Sequence, residues 1–201
     1  MNIKTYTIDN HNVYQVFDVL DDLAFNNIQQ QKSNLWLCPG EHNINPVIRC
    51  FDIPNYTELD NWEFNIGSAF VTLLKTINKI ISEIENTDIE LVQVGAQKNN
   101  QRHGFPWHKH RLPTIKYKNN ELYVGIFYTH NNWDQEYTNK FDGSLRVSID
   151  EQHSGFKLPC ISNSLVIHDS YFGHCLDNLL PGCPIERECF FSNWAKKCIK
   201  N

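Results

Sequence analysis

The 201-residue chain lacks three features that would have narrowed its chemistry at once. No run of Lys and Arg interrupts the even scatter of 18 basic and 23 acidic residues. The formal charge of −5 therefore offers no patch to neutralise a phosphate backbone, and nucleic acid is not an expected partner. No apolar stretch approaches the roughly 18 unbroken residues of a membrane span. The opening MNIKTYTIDNHN has no charged segment leading into an apolar one, so a soluble, unexported, cytoplasmic protein is the expectation. No CxxC pair occurs among Cys38, Cys50, Cys160, Cys175, Cys183, Cys189 and Cys198. An odd set without that spacing indicates neither a disulfide framework nor a zinc ribbon, and buried reduced thiols are expected. Internal repeats and long low-complexity segments are also missing.

What the chain has is apolar substance, 41% hydrophobic and 12% aromatic residues, enough for one sizeable core and one domain over 1–201. Val13, Val16, Phe17, Leu20, Leu23 and Phe25 recur at helical spacing and predict a first helix from about Val13 to Gln30. Residues 33–60, with Pro39, Pro46, Pro54 and Gly40, read as irregular connection or short strands. From Gly67 to Glu85 the residues Phe70, Leu73, Leu74, Ile77, Ile80, Ile81 and Ile84 mark one face of the clearest helix, whose task is to cover a sheet. Short β-type runs follow at 89–97, 121–130, 143–149, 164–169 and 188–195, separated by turn signals. Two helices and then five or more strands predict an α+β domain, helices packed on one face of a largely antiparallel sheet or flattened barrel.

Within this frame stands Phe105-Pro106-Trp107-His108-Lys109-His110-Arg111. On an extended segment residues i and i+2 share a face, so His108 and His110 present two ring nitrogens to one point while Lys109 points away. That is chelate spacing, although surface or hydrogen-bonded core histidines give the same pattern. The best third ligand is His174, a short loop beyond the apolar strand 164–167. Arg187 opens the last strand; inside an apolar run an arginine is costly unless it binds an anion or pairs with Glu186 or Glu188.

His108-Lys109-His110, Tyr128-Thr129-His130 with Trp133, Asp142-Gly143-Ser144-Leu145, Ser164–Ile167 leading to His174, and Arg187 with Trp194 follow one another at compatible spacings. Their order resembles the non-haem iron(II), 2-oxoglutarate-dependent dioxygenases, and within them the prolyl-hydroxylase-like group. The resemblance covers roughly residues 91–195. It implies a double-stranded β-helix, a jelly-roll or cupin-like barrel, over 89–196, with 1–88 as a helical support packed on one sheet. It implies an iron(II) cofactor held by His108 and His174 with His110 as third ligand, 2-oxoglutarate as cosubstrate with Arg187 and Tyr128 on its distal carboxylate, and dioxygen as oxidant. The implied reaction is hydroxylation of a C–H bond in a protein or peptide side chain or a small amino-acid-like molecule.

The sequence departs from that family at His110, where an Asp or Glu is usual; a neutral imidazole raises the charge of the site by one. Three accounts stay open: an active three-histidine iron site, a metal site with lost or altered chemistry, or a carboxylate recruited from Asp169 or Asp177. The first is preferred because Arg187 and Tyr128 are present. The polar connection 131–140, with Trp133 and Tyr137, lies where a substrate lid would sit and reads equally as a surface loop with one aromatic anchored in the core. His103, Gly104 and Phe105 border the entrance, whereas His130, His153 and His168 read as structural or exposed. A cupin-type three-histidine dioxygenase without 2-oxoglutarate is the alternative, weakened because the next Glu after the pair is Glu121, eleven residues on, and because Arg187 goes unexplained. A non-catalytic jelly-roll binding module is the other.

Overall fold

The computed structural model describes residues 2–33, 47–52, 66–99, 104–110, 122–150 and 155–197, with 47–52 and Asn99 as backbone only. In chain order the elements are β1 (Asn2–Ile8), β2 (His11–Phe17), α1 (Asp22–Gln31), β3 (Val47–Asp52), α2 (Ser68–Glu85), β4 (Ile89–Asn99), β5 (Phe105–His108), β6 (Leu122–Tyr128), α3 (Gln135–Phe141), β7 (Leu145–Ser148), β8 (Phe156–Leu158), β9 (Leu165–Asp169), β10 (Gly173–Leu176) and β11 (Arg187–Lys196). Seven strands form one sheet in the order β1-β2-β9-β6-β11-β4-β3, and four form a second, β5-β10-β7-β8. Every named pairing is antiparallel.

Period-two alternation divides the large sheet between two cores. On one face Tyr123, Phe127, Leu165, Ile167, Phe190 and Trp194 pack against the apolar side of α2 and against α1. On the other face Val124, Ile126, Tyr128, Val166, Cys189 and Phe191 meet Leu145, Val147, Leu158 and Leu176 of the small sheet. The result is three layers, helices on sheet on sheet. Among the described residues no ladder joins the two sheets, so the expected barrel is seen as two facing sheets that do not close on each other.

The helix over Gly67–Glu85 is where periodicity puts it, and it ends at Asn86, whose left-handed φ of 47° stops the spiral. The first predicted helix is corrected. Residues 13–17 belong to β2, and α1 begins only at Asp22, capped by Asp21 Oδ1 accepting from Ala24 N at 2.8 Å. The apolar spacing of Val13, Val16 and Phe17 suited either state, and pairing with β1 and β9 decided it. Asp9 and Asn10, both at positive φ, make the two-residue turn that sets this hairpin's register. The segment 1–88 is thus not purely helical, since β1, β2 and β3 all join the large sheet. The connection 131–140 contains α3, whose cap Asp134 accepts from Tyr137 N at 2.8 Å.

No helix among the described residues is long and apolar enough to cross a membrane. Four cysteines, Cys160, Cys175, Cys183 and Cys189, are free and buried, while Cys38 and Cys198 lie outside the described residues.

The helix-to-sheet core carries much of the stability. Ile77, fully buried on α2, should cost about 2–5 kcal/mol when changed to Ala. Leu23, 73% exposed on α1, should change stability by less than about 0.5 kcal/mol on the same substitution. Urea unfolding of both variants checks the contrast.

Candidate metal centre

Two paired strands and the residues just after one of them deliver the histidines. His108 ends β5 and His110 follows two residues later, while His174 sits on β10 directly opposite His108 in the ladder. Ring centroids are 4.2 Å apart for His108 and His174, 4.9 Å for His110 and His174, and 5.3 Å for His108 and His110. One ligand nitrogen from each lies within 4.8 Å of the others. Lys109 points elsewhere, donating to Ile149 O at 3.0 Å.

For His108 and His110 a hydrogen bond at Nδ1 sets the tautomer of the neutral ring. His108 Nδ1 is 3.0 Å from Pro106 O; a carbonyl only accepts, so Nδ1 carries the proton and Nε2 the lone pair. His110 Nδ1 lies 2.6 Å from Asn193 Oδ1, and Asn193 is oriented by donating Nδ2–H to Gln93 Oε1 at 2.8 Å. In His110 too, Nε2 carries the lone pair of the neutral ring. Burial and neighbouring histidines push the pKa of His110 down to about 3 and that of His174 well below its ordinary value. Neutral imidazoles with fixed tautomers are the metal-binding form.

A cavity of about 280 Å³ opens on this cluster, with Phe105, Ile126, Leu145, Leu176 and Phe191 among its apolar walls. Deeper along the same inner face of β11, two alternations from Phe191, lies Arg187, 1% exposed. Its Nη1 donates to Gly143 O and to Asp177 O, the latter at 3.1 Å, but Nε and Nη2 are buried without a partner. The hydroxyl of Tyr128, fully buried and paired across from Cys189, meets no hydrogen-bond geometry, with only the Cys160 thiol, itself donating to Gly143 O, close enough among the described residues to interact with it. Tyr128 is held well above the usual tyrosine pKa by burial, so it stays a phenol donor.

Among the described residues, the carboxylates next to Arg187 in chain or contact are engaged elsewhere. Glu188 bonds Lys32 and Lys98, Glu186 bonds Lys98, and Asp177 bonds Arg146 and Lys157. Asp169 holds His11 at 2.8 Å. Neither Asp169 nor Asp177 joins the group of ligand atoms around the histidines. A permanently charged group in the interior, with two donor positions unanswered, matches an anion with a carboxylate's fork.

No sequence-family model matches the chain, and no curated protein matches it. Solved structures do. A prolyl hydroxylase of Trichoplax adhaerens, in complex with a hypoxia-inducible-factor oxygen degradation domain peptide, is 14% identical over 92% of this chain and 83% of its own, with a TM-score of 0.64. HygX from Streptomyces hygroscopicus, with nickel and 2-oxoglutarate bound, is 8% identical over 94% and 84%, with a TM-score of 0.62. SnoN, a non-haem α-ketoglutarate-dependent epimerase of nogalamycin biosynthesis, is 9% identical over 92% and 76%, with a TM-score of 0.63. The fold is that of the prolyl hydroxylases and other 2-oxoglutarate–Fe(II) oxygenases.

On this oxygenase fold the remaining sequence candidates divide. Phe105 lines the cavity and meets the His108 ring edge-on at 4.5 Å. Trp133 does not; it is 1% exposed in a separate cluster with Leu179, Cys183 and Tyr137, its Nε1 donating to Thr138 Oγ1 at 2.9 Å. It is the anchored aromatic of its segment. His130 donates Nε2–H to Cys160 O at 2.8 Å and accepts from Glu188 N, a structural neutral ring. His103, His153 and Glu121 lie outside the described residues. Two residues of the site were not foreseen: Asn193, which orients His110, and His168, whose ring centroid is 5.0 Å from that of His174. Asn193 shares the inward phase of Arg187, Cys189 and Phe191 on β11, and that phase was its available signal.

Two outcomes follow. Asn193→Leu removes the acceptor that orients His110 and should weaken divalent-metal binding about 10–100-fold, read by competition titration. In the metal-free protein, His110 and His130 are depressed to about 3 and His168 to about 4, all from 6.5, and burial with neighbouring rings holds His174 well below its ordinary value. Below pH 6.5 the unfolded chain takes up protons the folded one refuses. Stability is therefore fully present above that pH and declines as pH falls toward the folded values, by up to about 1.4 kcal/mol per pH unit for each ring. Urea midpoints across pH 7 to 4.5 should show this loss, and added metal should reduce it.

Proposed function

We propose that the protein is an iron(II)- and 2-oxoglutarate-dependent oxygenase that hydroxylates a C–H bond, using three histidines where a carboxylate is more usual. The observation that carries this reading is Arg187, buried with unpartnered Nε and Nη2 groups beside the buried Tyr128 hydroxyl, on the same inner face of β11 that leads to the histidine cluster. His108, His110 and His174 hold the metal through Nε2, and imidazole donors suit iron as well as nickel, copper or zinc. Arg187 grips the distal carboxylate of 2-oxoglutarate through its free edge, and Tyr128 adds a neutral donor. Bound together, iron(II), 2-oxoglutarate and dioxygen supply the oxidising chemistry, with succinate and carbon dioxide as coproducts of hydroxylation.

The chain's own residues bind, orient and exclude water. Apolar side chains from both sheets surround the metal-facing cavity, which favours a dry site, and Phe105 is the residue best placed to touch substrate. A peptide side chain or a small amino-acid-like molecule is the substrate class. The solved structures of this fold include a peptide-bound hydroxylase and an epimerase, so epimerisation is the second outcome the same cosubstrate chemistry supports. A cupin-type enzyme without 2-oxoglutarate would leave the Arg187 and Tyr128 donors without a purpose.

The test is anaerobic titration of the apo-protein with iron(II) and 2-oxoglutarate, following the visible charge-transfer band of the chelate. The wild type should develop the band. Arg187→Ala should lose it at millimolar cosubstrate, and Tyr128→Phe should keep it with about tenfold weaker 2-oxoglutarate binding, as expected for one lost hydrogen bond to a charged group. No band in the wild type, with metal bound, would sink the 2-oxoglutarate reading.

A further inference from the structure

Two of the three candidate ligands have an acceptor on Nδ1, namely Pro106 O for His108 and Asn193 Oδ1 for His110. His174 has none. Its Nδ1 is buried without a hydrogen-bond partner on a residue only 4% exposed. A metal ligand with an unanswered ring N–H in a dry interior is both costly and free to swivel.

The ring next to it carries the complementary vacancy. His168, on the inward phase of β9 with Val166, is 1% exposed, and its Nε2 is also buried without a partner. Its Nδ1 lies 2.7 Å from Asp169 O. Because a carbonyl only accepts, that nitrogen bears the hydrogen, and Nε2 of the neutral ring is a lone pair. The ring centroids of His168 and His174 are 5.0 Å apart. Two imidazoles joined by a hydrogen bond of about 2.9–3.0 Å have their centroids about 5 Å apart once the span from each ring centre to its nitrogen is added. The interplanar angle of 64° is no obstacle, since rings joined through their nitrogens can twist about the line between them.

We propose that His168 is the positioning residue for His174: its Nε2 accepts Nδ1–H of His174 when Nε2 of His174 holds the metal. The direction is fixed along the whole chain, from the His174 N–H to His168 Nε2 and from the His168 Nδ1–H to Asp169 O. Asp169 O also accepts from Phe172 N at 3.4 Å, which anchors the acceptor end in the β9–β10 turn. His168 is not itself among the three residues whose ligand atoms cluster. The inference rests on the metal reading above and extends it to a residue outside the ligand set.

The test uses the full chain loaded with cobalt(II), whose paramagnetism shifts the exchangeable ring N–H protons of ligand histidines out of the crowded proton spectrum. The wild type should show three such signals that persist in water. His168→Leu removes the acceptor and should lose one signal to solvent exchange and weaken cobalt binding about 10–100-fold. His168→Gln, which offers a carbonyl oxygen near the place of Nε2, should recover both. Three persistent signals with unchanged affinity in His168→Leu would overturn the proposal, as would a Gln variant no better than Leu. A change of cobalt coordination number in both variants, seen in the visible spectrum, would make His168 a ligand and overturn it too. If the wild type binds no cobalt, the metal reading fails and the relay with it, which separates that failure from one of the relay alone.

Discussion

A guanidinium buried in the interior, with backbone carbonyl oxygens as its only hydrogen-bond acceptors among the described residues, is the constraint around which this molecule is arranged. Arg187 opens β11, inside the large sheet, and Gly143 and Asp177 turn backbone carbonyls toward it. Gly143 takes a φ of +79°, and a Cβ there would meet Leu179 at 2.4 Å and Arg187 Nη1 at 3.1 Å, so only glycine lets its carbonyl reach the charge. Asp177 turns its carboxylate to Arg146 and offers Arg187 only its backbone. With the carboxylates around it paired elsewhere among the described residues, Arg187 Nε and Nη2 keep an unanswered attraction, on the face of β11 that also carries Phe191 and Asn193 against His110.

That strand face also governs what the sequence could disclose. Alternation along 187–195 was legible, and it brings Arg187, Cys189, Phe191 and Asn193 inward while Phe190 and Trp194 face the helices. His108, His110 and His174 could be chosen because an i, i+2 pair needs only an extended backbone and a third ring delivered by strand pairing. The support network was harder to foresee. Asn193 and His168 acquire their roles through contacts 83 and 6 residues away in sequence, made by two different sheets. The first helix was misread for a related reason: Val13, Val16 and Phe17 satisfy two periodicities, and only cross-strand partners from β1 and β9 break the tie. The signals for the true arrangement, the Asp9-Asn10 turn and the caps at Asp21 and Asp134, are local and were there to be used.

On the proposed function, His110 in the place of a ligand carboxylate changes the electrostatics more than the geometry. A site of neutral imidazoles does nothing to compensate a divalent cation, so the charge must be met by what binds beside it. In the proposed oxygenase a dianionic cosubstrate would answer both the metal and Arg187, the two cations acting together on opposite ends of one molecule. That proposal carries an electrostatic reason for cosubstrate binding to depend strongly on the metal, more so than where a protein supplies its own anion.

The depressed histidines carry a further consequence for how the site fills. Most histidine clusters near neutrality hold a fraction of a proton that an incoming ion must expel. Here burial and neighbouring rings already hold His110 and His174 in the neutral form, and His110 Nδ1 is turned to Asn193. On the metal reading, entry of the ion at these two rings is a desolvation and coordination event with almost no proton release from either. Folding has already taken on the cost of keeping His110 and His174 deprotonated, which leaves capture at those two nitrogens insensitive to modest swings in pH.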